Sequence, residues 1–225
     1  MTQRLGVLGG TFDPVHFGHL DAADAARSAL SLTGVRFVPS HDPPHRPADP
    51  LAPAFHRFAL VALAINGLTG YQVSDTELVR GGPSYTADTL RALHRDGWAP
   101  SQLFFILGSD AFADIASWHE FPAVLDAARF VVIARPGTTI DMALARSPEL
   151  RPRAGVAAAG SHDPGQSAIV LVEADTRDVS STMIRQRLAA GLAIDDLVPA
   201  AVARHIDAHH LYGAESTLHG NDESN

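Results

Sequence analysis

The 225-residue chain contains neither lysine nor cysteine; all 17 of its basic residues are arginines. Without lysine there is no P-loop, whose lysine sits on the phosphates, no Schiff-base lysine for pyridoxal phosphate, and no protein-kinase strand lysine. Without cysteine there is no disulfide scaffold, thiol nucleophile or thiolate metal site, which agrees with a reducing compartment. No apolar run approaches the ~20 residues that cross a bilayer. The chain opens directly into strand-like Arg4-Leu5-Gly6-Val7-Leu8, with no leader pattern. A net charge of −8 disfavours bulk binding to nucleic acid or to a membrane surface, while leaving room for a local basic pocket. The expected location is cytoplasmic.

What the chain does have is alternation. Short apolar, β-branched runs are separated by amphipathic stretches, the pattern of an α/β fold with a mainly parallel sheet. The spacing predicts strands over 5–8, 35–38, 71–78, 103–107, 130–134 and 169–172. Helices are expected over 18–30, 54–65 and 85–95, the last with Ser84 as its N-cap. Ser180 or Ser181 caps a further helix ending at Gly191, and Pro199 opens a terminal one. Residues 41–53 hold five prolines and read as an irregular loop. The weakly periodic stretch 138–166 reads as a helix plus a mobile connection. Residues 1–213 form one expected domain, followed by a polar, disordered tail over 214–225.

Two stretches carry chemistry. Gly9-Gly10-Thr11-Phe12-Asp13-Pro14-Val15-His16-Phe17-Gly18-His19 lies between the first strand and the first helix, where open parallel sheets bind ligands. Glycines let a ligand approach the backbone, free amides at the helix start favour an anion, and two histidines stand ready as phosphate donors. The glycine spacing is not that of a dinucleotide fingerprint, and a zinc site would want HExxH or softer ligands. Val179-Ser180-Ser181-Thr182-Met183-Ile184-Arg185 repeats the theme before a late helix, with three hydroxyls and an arginine fork one turn in. Each stretch alone could be ordinary helix capping; two anion-friendly helix starts after strands favour phosphate. The pairs Asp195-Asp196 and His209-His210 have no motif around them and read as surface helix.

The combination of a Gly-Gly-Thr-Phe-Asp-Pro strand end, His16-Phe17-Gly18-His19 and a late Ser-Ser-Thr-x-x-Arg resembles the nucleotidylyltransferase superfamily. Within it, the chain is most similar to the bacterial nicotinate mononucleotide adenylyltransferases. The likeness runs from about Arg4 to Tyr212. It includes Pro43-Pro44-His45-Arg46, Ser84-Tyr85-Thr86-Ala87-Asp88-Thr89-Leu90, Leu107-Gly108-Ser109-Asp110 with Trp118, and Ala134-Arg135-Pro136-Gly137. Phosphopantetheine adenylyltransferases are shorter and carry threonine where His16 stands. The stretch before Ile169 is longer than in compact relatives.

The resemblance implies a Rossmann-like open sheet with helices on both faces. It also implies the reaction of ATP with nicotinate mononucleotide to give nicotinate adenine dinucleotide and pyrophosphate, with Mg2+ on the ATP phosphates. By position, His16, His19 and the backbone at Gly9, Gly10 and Thr11 would contact the triphosphate. Ser180, Ser181 and Arg185 would hold its β- and γ-phosphates, Arg185 as the main fixed cation on the leaving group. His16, His19 and Arg185 are the expected catalytic residues. Gly108, Asp110 and Arg135 would line the adenosine side. Tyr85, Thr86 and Trp118 would hold the pyridine ring and its carboxylate, and Ser40 and Arg46 the mononucleotide phosphate. Both partners are small molecules; monomer and homo-oligomer stay open. The alternatives are another adenylyl- or cytidylyltransferase with a different acceptor, and a non-catalytic nucleotide sensor.

Overall fold

Fully apolar runs make the centre of the molecule. In the strands Leu103–Gly108 and Arg129–Ala134, side chains alternate between two buried faces. Phe104, Ile106, Val131 and Ile133 enter the core on one side, and Phe105, Leu107, Phe130 and Val132 the core on the other. A strand covered on both faces has no wet side on which to place polar residues. The computed structural model describes residues 3–44, 51–156 and 168–213. Its strands are Leu5–Gly10 (β1), Gly34–Pro39 (β2), Tyr71–Val73 (β3), Leu103–Gly108 (β4), Arg129–Ala134 (β5), Ala154–Val156 (β6) and Ile169–Glu173 (β7). They form one sheet ordered β3-β2-β1-β4-β5-β7-β6, with every pairing parallel.

The helices among the described residues are Phe17–Leu30 (α1), Ala54–Ala64 (α2), Thr76–Arg80 (α3), Thr86–Arg95 (α4), Ser109–Ala113 (α5), Ile140–Ala143 (α6), Ser181–Ala189 (α7) and Ala200–Ala208 (α8). Helices α1, α2, α7 and α8 bury Leu20, Leu60, Ile184 and Val202 on one face of the sheet. On the other face α4, α5 and α6 bury Leu90, Phe112 and Ile140. This is a Rossmann-like, open α/β arrangement. From β1 the chain runs outward through β2 and β3, then crosses back to β4 on the other side of β1. The carboxyl ends of β1 and β4 therefore bound the crevice where the strand order reverses, and ligands bind such crevices.

Three expectations change. The alternation over 71–78 yields only the three-residue β3; the chain then turns into α3, which stops at Gly81 with φ 69°. Ser84 does not cap α4. Tyr85 holds that position, and Ser84 Oγ instead accepts the His41 amide at 2.8 Å. The stretch 138–156 contains α6 and the edge strand β6 as well as irregular chain. Residues 45–50 of the proline-rich loop, 157–166 of the long connection, and the tail 214–225 lie outside the described residues.

Candidate active site

At the carboxyl ends of the central strands opens a cleft of about 700 Å³. Its wall gathers Gly9, Gly10 and Thr11 at the end of β1, Gly108 and Asp110 at the end of β4, and Arg135 just past β5. The starts of three helices complete it: His16 and His19 on α1, Thr86 on α4, and Ser180 and Ser181 on α7. Ser40 and Trp118 close the sides. Residues more than 160 positions apart thus share one concave surface.

His16 is the N-cap of α1, in extended conformation. Its backbone N–H donates to Nδ1 of His19 at 3.2 Å. An accepting Nδ1 carries no proton, so neutral His19 holds its proton on Nε2 and offers it as a donor. The two imidazoles lie 3.7 Å apart, centroid to centroid, and Phe12 meets His19 edge-on at 5.0 Å. Gly18 makes room for this packing. A Cβ there would come within 3.2 Å of both the His16 ring and the Val179 side chain.

The turn from β1 to α1 is bolted from below. Asp13 is 1% exposed; its carboxylate accepts the amides of Leu51 and Ala52, each at 3.0 Å, and the Tyr212 hydroxyl at 2.9 Å. Buried Arg57 donates to the carbonyls of Thr11, Ala52 and His41 at 2.7, 3.1 and 3.3 Å. Burial and the neighbouring Asp13 both push the Tyr212 hydroxyl up, so it stays a donor.

The α7 side is tied to the same turn. Ser181 Oγ donates to the Pro14 carbonyl at 2.9 Å, and Ser180 Oγ caps the helix by accepting the Met183 amide at 3.1 Å. Arg185 stands one turn in, behind the wall. Its Nη1 donates to the Asp13 carbonyl at 2.7 Å and its Nη2 to Thr182 Oγ1 at 3.1 Å. The arginines on the wall are Arg135, paired with Asp178 at 2.6 Å, and Arg177. Arg177 grips Asp21 through Nε at 2.9 Å and Nη2 at 2.6 Å, and its cation holds the Asp21 carboxyl below the usual carboxylate range.

The remaining expected residues divide. The Ser40 hydroxyl is buried and has no hydrogen-bond partner among the described residues, as does His16 Nδ1. Trp118 packs edge-on against Phe105 at 5.9 Å while facing the cleft. Tyr85 lies beside the cleft, stacked on His119 at 4.3 Å, in a small recess it shares with Trp118. Arg46 lies outside the described residues. Sequence reasoning passed over Arg177, Asp21 and Glu77. Glu77 is buried on the wall, accepts from Thr89 Oγ1, and burial pushes its carboxyl up.

His16 also makes folding pH-dependent. Burial pulls its pKa from 6.5 down to about 4, against the raising effect of Asp21. Between those values the unfolded chain binds a proton that the folded chain refuses, so stability falls as pH drops through that window. A shift of this size corresponds to about 3 kcal/mol. Urea unfolding from pH 7 to 4 should show this slope in the wild type and a flatter one in His16→Gln. Equal slopes would move the effect to another group.

Comparison with known proteins gives a consistent picture. The cytidylyltransferase-like family model matches residues 7–187. A Roseiflexus sp. (strain RS-1) protein named "Probable nicotinate-nucleotide adenylyltransferase" is 42% identical over 210 residues, covering 92% of this chain and 97% of that one. A Pseudomonas fluorescens protein of the same name is 41% identical over 214 residues, covering 95% and 99%. Among solved structures, Plasmodium falciparum nicotinic acid mononucleotide adenylyltransferase complexed with APC superposes with a TM-score of 0.69 at 18% identity, covering 95% of this chain and 99% of that one. At that identity the likeness speaks for the fold alone.

Proposed function

This chain belongs to the cytidylyltransferase-like family and, within it, to the nicotinate-nucleotide adenylyltransferases, and on that premise we propose that it transfers the adenylyl group of ATP to nicotinate mononucleotide. The products are nicotinate adenine dinucleotide and pyrophosphate. The observation that carries the reading is the convergence of two helix starts, α1 and α7, on one cleft, with Ser181 Oγ on the Pro14 carbonyl at 2.9 Å. Two N-terminal helix dipoles meeting at one cleft then favour a single polyanion.

The chemistry is an in-line attack by a phosphate oxygen of the mononucleotide on the α-phosphorus of ATP. That oxygen is already anionic near neutral pH, so no general base is required. What the protein must supply is alignment of two polyanions and stabilisation of charge growing on the departing pyrophosphate. In this reading the amides of Gly9, Gly10 and Thr11, with His16 and His19, hold the triphosphate. Ser180 and Ser181 hold its far end, and Arg185 acts through the Asp13 carbonyl on the turn that carries both histidines. Gly108, Asp110 and Arg135 flank adenosine. Ser40, and Arg46 beyond the described residues, serve the mononucleotide phosphate. Residues 1–213 act as one domain, and the reading requires no second copy of the chain.

Adenylyl transfer from ATP generally uses a divalent metal, here Mg2+. The wall fits a metal carried by its substrate. Its polar groups are mostly N–H and O–H donors, with Asp110 and Glu77 as cleft carboxylates, so phosphate oxygens and water would supply most ligands. Bound there, Mg2+ would neutralise phosphate charge. Among the described residues no helix is long and apolar enough to cross a membrane, and the reading places the enzyme in the cytoplasm.

The acceptor's ring provides the test. The first amides of α4, at Thr86 and Ala87, favour a carboxylate over a neutral amide. Pyrophosphate release should give kcat/KM about 10²-fold higher for nicotinate than for nicotinamide mononucleotide, the order of one hydrogen bond to a charged group, about 1.5–3 kcal/mol. Equal values would defeat the acid-specific reading, and no release with either acceptor would favour a nucleotide sensor.

A further inference from the structure

Away from the cleft, α2 and α8 bring three histidines face to face. His56 lies in the first turn of α2. His205 lies in α8, and His209 four residues on, at the end of the same helix. His56 Nδ1 stands 3.1 Å from His205 Nε2, and one ring nitrogen from each of the three lies within 4.8 Å of the others. Ring centroids are 5.3, 4.9 and 4.3 Å apart. Among the described residues this is the one group of three ligating side chains so close together.

We propose that His56, His205 and His209 form a divalent transition-metal site of the zinc class that clips α2 to α8. The spacing argues for it. Two nitrogens bound to one tetrahedral zinc at 2.0–2.1 Å are themselves roughly 3.3 Å apart. The His56–His205 pair is already at that separation, and His209 needs only a side-chain rotation of about 1–2 Å to join. An i, i+4 pair on one helix face plus a third imidazole from a neighbouring helix is three protein ligands, and water completes the set. Imidazole suits zinc, nickel and copper far better than calcium or magnesium.

The clip would bear on the cleft without entering it. His56 precedes Arg57, which donates to the Thr11 carbonyl, and α8 leads to Tyr212, which donates to Asp13. Joining the two helices would stiffen both supports of the β1–α1 turn.

The test uses the full chain without an added histidine tag, stripped with EDTA and titrated with ZnCl2 against a chromophoric chelator. One Zn2+ per chain should bind. Losing even an outer-shell partner costs metal sites about 10–100-fold, so removing two ligands in His205→Ala/His209→Ala should weaken binding by more than about 10²-fold. His19→Ala should bind zinc as the wild type does, which separates this site from the histidine pair in the cleft. Zinc should also raise the thermal midpoint of the wild type and leave the double variant unmoved. Wild-type affinity no tighter than that of the double variant, or binding abolished by His19→Ala, would overturn the site.

Discussion

Replacing His19 with alanine should lower kcat by about 10²–10³ while changing KM for ATP only slightly, the loss typical when one donor to developing charge is removed. His19 is the N3 residue of α1, and its hydrogen bond with the N-cap backbone is the return half of a capping box. His19 Nδ1 accepts the His16 amide at 3.2 Å, so the acceptor nitrogen is spent on the backbone, the ring's donor is Nε2–H, and the residue lines the cleft. A donor held by the protein needs no reorganisation as negative charge grows, and it contributes more to the transition state than to bound ATP.

Two further variants separate catalysis from capping. Asparagine can offer its carbonyl oxygen to the His16 amide but has no group reaching the Nε2 position. Glutamine reaches that position with an N–H. If His19 acts through Nε2, His19→Asn should be nearly as slow as His19→Ala, and His19→Gln should recover part of the rate. Steady-state pyrophosphate release at saturating ATP reads this directly. An effect confined to KM would reduce His19 to ground-state binding, and full activity in His19→Asn would reduce it to a cap.

Much of this arrangement was legible in the order of residues, and the rest was not for identifiable reasons. The central strands announce themselves because both faces are buried, as Leu103 to Leu107 and Phe130 to Ala134 show. The histidine turn and the serine-rich helix start were readable because local motifs carry them. Strand β6 is Ala-Gly-Val at the sheet edge, too short and too bland to signal anything. Residues 71–78 alternate like a strand, but Gly81 and Gly82, both at positive φ, mark the end of a short helix that alternation concealed. Contacts between distant residues were beyond sequence reading altogether. Arg177 and Asp21 are 156 positions apart, and His56 and His205 are 149 apart. His209, read as a surface residue, acquires meaning only once α8 packs on α2. Arg185 shows the same limit from the other side: the motif brings it to the site, but only the fold turns its guanidinium onto the Asp13 carbonyl.

Asp13 is the longest of these distant links, and its loss should be the largest single cost to stability. Tyr212 reaches it across 199 positions. The substitution to examine is Asp13→Asn, which keeps the shape and opens no cavity. The Asp13 oxygens accept from three donors on two sides: Ala52 N–H and Tyr212 O–H on Oδ1, and Leu51 N–H on Oδ2. An amide has one oxygen, so either orientation sets its NH2 against at least one N–H or O–H donor. The substitution also withdraws the negative charge 3.9 Å from Arg185 Nη1. Breaking a buried charge arrangement by removing one member costs about 3–5 kcal/mol, and urea unfolding should show a loss of that order at unchanged m-value. Tyr212→Phe removes one hydroxyl bond and leaves the carboxylate, so it should cost only about 1 kcal/mol and supplies a folded comparison if Asp13→Asn does not accumulate. Because the same turn presents His16 and His19, the asparagine variant should also turn over more slowly under conditions where it remains folded. An Asp13→Asn protein as stable as Tyr212→Phe would mean that the carboxylate's charge does not hold the turn in place.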